Sequence, residues 1–73
     1  MNKRLFKSKM ALYGDSNATL AAAIGISPQR CSAKLNGTNG AEYTQKEIMC
    51  IKNRWNLTAD EVNSIFFADS VSS

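Results

Sequence analysis

Apolar residues recur along this chain at helical spacing, three or four positions apart, in five successive stretches. Phe6, Met10 and Tyr13 stand at i, i+4 and i+7 with Leu5 and Leu12 flanking, which predicts a first helix that Gly14 ends. Leu20, Ala21 and Ile24 form the inward face of a second helix. Ser16 or Asn17 caps it, its alanines let a neighbour approach closely, and Gly25 stops it. A third begins at once, because Ser27 suits the N-cap and Pro28 the first helical position, where a missing N–H costs nothing. Ile26 and Cys31 flank that start as a hydrophobic staple, and Asn36-Gly37 closes the helix. The fourth opens on a Thr44 to Glu47 capping box, with Tyr43 and Ile48 as staple, and buries Ile48, Ile51 and Trp55 along one stripe. The fifth repeats the device with Thr58, Glu61, Leu57 and Val62, and turns Val62, Ile65 and Phe66 inward.

The alternating runs that mark strands are missing, and the glycines sit between helical stripes. The expected fold class is therefore all-α, a compact five-helix bundle forming one domain over residues 1–67. Residues 68–73 are expected to be a disordered tail. "LNGTNGAEY" is the one stretch rich enough in Gly and Asn to serve as a long connector.

Charge changes this picture at one end. Lys3, Arg4, Lys7 and Lys9 precede any acid, while Asp60, Glu61 and Asp69 are the only charges after Arg54, so a net charge of +3 is unevenly spread. A basic end suits a polyanion. Cys31 and Cys50 lie far apart, without a CxxC pair or any histidine, so no metal site and no cofactor are expected, and both read as small buried thiols. No apolar run approaches the roughly 20 residues a bilayer needs, and no secretory signal is legible, so the expectation is a cytoplasmic protein without a membrane partner.

Two short helices joined at Gly-Ile-Ser form the arrangement in which the first props the second against a surface. With Cys31 at the centre of the inner face of the third helix, Leu35, Pro28 and Ser27 fall nearby. Gln29, Asn36, Ala33 and Ser32 fall opposite, with Arg30 at the edge. That outer face carries no carboxylate and little bulk. It fits a DNA major groove, where the Gln29 amide can pair with adenine N6 and N7 and Ala33 can touch a thymine methyl. Arg30, Lys34 and the Asn36-to-Asn39 loop can reach phosphates, and Ser16 and Asn17, at the start of the second helix, favour one as well.

The segment "TLAAAIGISPQRCSAKLNG" resembles the helix-turn-helix of the XRE family, the Cro-like and repressor-like DNA-binding proteins of phages and bacteria. Ala21, Gly25, Ile26 and Ser27 fall on its signature positions, Cys31 stands where Ile or Val is usual, and Leu35-Asn36-Gly37 matches its exit. "YTQKEIMCIKNRWNLTADEVNSIFF" is similar to the downstream helices of small phage-type members, so the resemblance runs from Leu5 through Phe67. It implies a repressor-like five-helix domain whose third helix reads a double-stranded operator, and a regulator of a lysis/lysogeny-type switch. Carried over residue by residue, it makes Gln29, Ser32 and Ala33 base readers, and Asn17, Arg30, Asn36 and Thr38 backbone contacts.

The family commonly has glutamine where Asn17 stands, and a bulkier polar residue where Ala33 stands. That thins direct readout and opens an alternative, a modulator or antirepressor that binds a phage repressor protein. Met10, Pro28, Arg30, Ala33 and Lys34, with Phe67 exposed near the C-terminus, would then meet the partner. A homodimer presenting two third helices is a further expectation. An enzyme with a small-molecule substrate is not expected, since the chain has no histidine and no acid–base pair at a defined spacing.

Overall fold

Five side chains start the five helices, each by accepting a backbone N–H that the first helical turn leaves unbonded. In a computed structural model that describes residues 1–67, α1 (Lys3–Leu12) is capped by Asn2, α2 (Asn17–Ile24) by Ser16, α3 (Pro28–Asn36) by Ser27, α4 (Gln45–Arg54) by Thr44 and α5 (Ala59–Phe66) by Thr58. The expected tail, 68–73, lies outside the described residues. Thr44 and Thr58 form the predicted capping boxes with Glu47 and Glu61, each glutamate accepting the cap residue's own N–H at 2.8–2.9 Å. Ser16 forms a third box with Thr19, in which a threonine replaces the usual Glu or Gln. A single 3₁₀ turn, Thr38–Gly40, follows α3. The described chain is all-helical, without a strand.

Gly25 ends α2 in the left-handed conformation, φ 80° and ψ 30°, with its N–H on the Ala21 carbonyl. The Ile26 N–H reaches the same carbonyl at 3.0 Å, so the chain turns within three residues and Ser27 starts α3. The glycine permits the turn, and the serine re-caps the chain in a new direction.

α2 packs on both α3 and α4, α1 packs on α5, and α5 on α4, giving a radius of gyration of 11.3 Å. That is close to the about 11 Å of a folded chain this long. The fully buried residues Phe6, Leu20, Ala21, Cys31, Ile51, Trp55 and Ile65 form one core with Tyr43, Ile48 and Leu57. Phe6 stands at its aromatic centre. Its ring stacks on Tyr43 at 5.5 Å and meets Trp55 and Phe66 edge-on at 5.1 and 6.0 Å. Such pairs contribute about 0.5–1.5 kcal/mol each beyond area burial.

Some faces differ from the periodicity. Leu12 is 70% exposed, because six residues on from Phe6 it lies about 120° around the helix. Tyr13, expected inward, is half-exposed at the end of α1, its ring lying flat on Trp55 at 6.5 Å. Ile24, Val62 and Phe66 are only partly buried against the core. Cys50 is half-buried, its thiol pointing at the Ala23 carbonyl 3.6 Å away, while Cys31 is sealed; both are free thiols. Of the adjacent phenylalanines, Phe66 packs inward and Phe67 is 40% exposed.

The corner between α1 and α2 is fixed by Asp15, whose side chain is 5% exposed. Its carboxylate accepts from Arg54 Nε and Nη2 at 2.8 and 2.7 Å, from Trp55 Nε1 at 2.7 Å and from Thr19 Oγ1 at 2.9 Å. The guanidinium holds this carboxyl far below the usual carboxylate range, and the Trp55 and Thr19 donors add to it against the opposing effect of burial.

Two outcomes follow from these contacts. Gly25→Ala meets no atom within 4 Å but must adopt φ +80°, so it is expected to destabilise by about 1–2 kcal/mol, read as a lower urea midpoint by the fluorescence of the single tryptophan, Trp55. Asp15, Glu47 and Glu61 are all held below their ordinary values. Their contribution is therefore full above about pH 5 and is lost as pH falls through the folded values. Thermal unfolding followed by circular dichroism should show a midpoint falling below about pH 4, and Asp15→Ala should lower it at neutral pH and shallow the acid decline.

Candidate nucleic-acid interface

α3 presents its outer face because so little of it is needed inside. Cys31 is its one fully buried residue, and Leu35 packs partly on the core. Two outside groups hold its backbone. The Tyr43 hydroxyl donates to the Cys31 carbonyl at 3.2 Å and lies 3.4 Å from the Cys31 sulfur. The Asn17 side-chain amide donates to the Pro28 carbonyl at 2.7 Å, tying the start of α3 to the start of α2. Burial, followed by the Cys31 contact, pushes the Tyr43 phenol well above its usual range, so it remains a neutral donor.

A third tie is ionic. Lys34 Nζ donates to both Glu47 oxygens at 2.6 and 2.9 Å, with the two side chains 11 and 12% exposed. Burial alone would raise Glu47, but the Lys34 bond and the Thr44 amide outweigh it and leave it lowered. Glu47 thus caps α4 and anchors α3 with one carboxylate.

The residues singled out from sequence now separate into groups. Gln29 and Arg30 are exposed on the first turn of α3, and Asn36 and Thr38 are exposed at its exit. Ser32 and Ala33, expected on the outer face, are half-buried, and Ser32, the residue after Cys31, lies only about 100° around the helix from it. Pro28 and Ser27, expected towards the inner face, are exposed, because the core reaches α3 only at Cys31 and Leu35. Asn17, expected to meet a phosphate, faces α3 instead: its Nδ2 holds Pro28, and its Oδ1 is buried without a hydrogen-bond partner among the described residues. Lys34 is held by Glu47, so its ammonium is not available as a separate phosphate contact. The proposed partner set is not one patch: Met10 packs on the core, Pro28 and Arg30 lie at the start of α3, and Lys34 and Phe67 line a groove at its other end.

That groove, of about 500 Å³, runs between the first residues of the chain and the exit of α3, with Met1, Lys3, Leu35, Asn36, Tyr43 and Phe67 among its walls. Lys3, Asn36 and Gly37 all line it, a grouping with no signal in local sequence.

The charge pattern follows from pairing. Lys9, Lys34 and Arg54 are bound to Glu61, Glu47 and Asp15, which leaves Lys3, Arg4, Lys7, Arg30, Lys46 and Lys52 without an ion pair among the described residues. From Ser16 to Ala41 the chain carries no carboxylate at all. The turn between α2 and α3, α3 itself and its exit thus contribute no carboxylate of their own, while Glu47 lies on Lys34 and Glu42 lines the groove at the exit. None of the described helices is long and apolar enough to cross a membrane, and no group of three or more His, Cys, Asp or Glu among the described residues is placed to hold a metal ion.

No protein-family model, curated protein or solved structure matches the chain.

Replacing Lys34 by Met should act on stability rather than on any anion: about 1–2 kcal/mol lost in urea unfolding, because Glu47 keeps only the Thr44 amide. Tyr43→Phe should cost about 1 kcal/mol by the same measurement, the Cys31 carbonyl keeping its place in the helix without the extra donor.

Proposed function

We propose that α2, the Gly25 turn and α3 form a helix-turn-helix and that the chain is an XRE-type DNA-binding transcription regulator acting in the cytoplasm, in a phage or prophage switch. α3 docks in the major groove, with Gln29 reading a base edge and Arg30, Asn36 and Thr38 on flanking phosphates. The observation that carries this reading is the carboxylate-free span from Ser16 to Ala41, which presents Gln29 and Arg30 outward on a helix held from behind by Tyr43, Asn17 and Glu47. Lys3 lines the groove at the exit of α3, which Glu42 lines as well. The resemblance of this span to the Cro-like and repressor-like proteins agrees with it. Two copies presenting α3 to successive grooves about 34 Å apart would supply the specificity that one short reader lacks.

A second reading rests on the half-burial of Ser32 and Ala33, which leaves few base readers. On it the chain is a modulator that binds a phage repressor protein and controls that repressor's hold on DNA.

The deciding measurement is binding to duplexes selected from a randomised pool and to the region upstream of its own gene, over a range of salt, with and without any repressor that a neighbouring gene encodes. Direct binding with a steep salt dependence supports the DNA reading. A shift seen only with the repressor, or loss of the repressor's own shift, supports the second. Gln29→Ala is expected to relax preference at one base pair by about 1–3 kcal/mol. Arg30→Ala is expected to weaken binding to all duplexes alike and to lower the salt slope by about 1. Equal losses on selected and random DNA for Gln29→Ala would remove that residue from base readout.

A further inference from the structure

The exit of α3 contains two asparagine–glycine pairs in a row, Asn36-Gly37 and Asn39-Gly40, and the structure places them in different circumstances. Of the seven asparagines, these alone precede glycine. An asparagine followed by glycine can cyclise, because no side chain shields the next backbone nitrogen. The amide nitrogen of the glycine, on losing its proton, attacks Cγ. The Cγ–Nδ2 bond breaks, and Nδ2 takes up a proton and leaves as ammonia. Water then opens the succinimide at either carbonyl to give aspartate or isoaspartate, with no change of oxidation state.

Asn36 is the last residue of α3, and the Gly37 N–H is committed to the Ala33 and Lys34 carbonyls, so attack there requires the closing turn of the helix to unwind. Asn39 lies in the isolated 3₁₀ turn, where the Gly40 N–H makes one bond, 3.1 Å to Gly37. Its own backbone is left-handed, φ 55° and ψ 31°, a conformation that asparagine tolerates better than other residues with a Cβ. The whole segment from Asn36 to Gly40 is exposed, and a single exposed turn opens more readily than a helix end tied at two carbonyls. Asn56, the other left-handed non-glycine among the described residues, precedes Leu57, whose N–H is bound to the Lys52 carbonyl and whose side chain is buried.

We propose that Asn39-Gly40 is a site of spontaneous deamidation, with Asn36-Gly37 as its protected twin, and that conversion weakens binding to polyanions. The second clause rests on the DNA reading above. The new carboxylate would be the only one between Asp15 and Glu42, at the exit of α3 where Thr38 and Asn36 face the phosphates of a docked duplex.

The test ages the full chain in mildly alkaline buffer at physiological temperature and maps the modified residues by peptide mass spectrometry, in the folded state and in concentrated urea. The expected result is product at residue 39 well ahead of residue 36 in the folded chain, and similar rates at both in urea. Product at 36 ahead of 39, or no product at 39 in a folded chain whose urea sample reacts, overturns the site. Binding of a random duplex is then compared for Asn39→Asp, Asn39→Gln and Arg30→Ala. A several-fold loss for Asn39→Asp, well beyond any change with Asn39→Gln, supports the consequence. An unchanged Asn39→Asp beside a weakened Arg30→Ala overturns the consequence while the DNA reading stands. Absence of duplex binding by the unmodified chain overturns that reading and the consequence with it, and leaves the site itself to the mapping result.

Discussion

A nine-residue helix with one fully buried side chain is not stable by itself, since isolated helices shorter than about 12–15 residues are marginal in water. The rest of this structure follows from how α3 is held in place. The ties come from outside and take hold of its backbone and inner edge: Tyr43 on the Cys31 carbonyl, Asn17 on the Pro28 carbonyl, and Glu47 on Lys34. None of them uses Gln29, Arg30, Asn36 or Thr38, so those side chains remain available for another molecule. Tyr43 connects this arrangement to the core, because its ring is stacked on Phe6 while its hydroxyl reaches α3. A helix positioned through its backbone can vary its outward residues without loss of placement, which suits a surface that reads another molecule.

The two predicted capping boxes each carry a second connection. Glu47 caps α4 and binds Lys34 of α3, and Glu61 caps α5 and binds Lys9 of α1. A carboxylate already fixed by a backbone N–H loses little further freedom in accepting a lysine, so local helix starts become long-range fasteners at small entropic expense. Three acids are neutralised in the described fold, counting Asp15 on Arg54, and the cations left without an ion pair include Arg30 and the lysines and arginine of α1 that face water. On the proposed reading, it is this pairing, more than the net charge of +3, that decides where a polyanion meets the protein.

Much of the fold could be read directly from residue order. Caps, glycine stops and stripes act within one or two turns, and Ser27-Pro28, Thr44 with Glu47 and Thr58 with Glu61 start helices where their spacing places them. The candidate surface was legible in part. Gln29, Arg30, Asn36 and Thr38 are exposed as a helical wheel suggests, whereas Ser32 and Ala33 are half-buried, because a wheel records angle around one axis and not the neighbours that flank it. Asn17 and Lys34 were misplaced for a related reason. Their polar heads look outward in any local reading, yet each has a partner in another element, Pro28 eleven residues away and Glu47 thirteen.

By itself, then, the sequence determined the number, order and ends of the helices, since these depend on hydrogen bonds between near neighbours and on the few residues that tolerate a left-handed turn. The tertiary structure alone decided that Asp15 would gather Arg54 and Trp55, that Tyr43 would bond the backbone of α3, and which lysines would be occupied. Those contacts join residues up to fifty-two positions apart. At that separation an encounter is set by the packing of apolar faces around Phe6 and Trp55, and no local pattern of residues carries it.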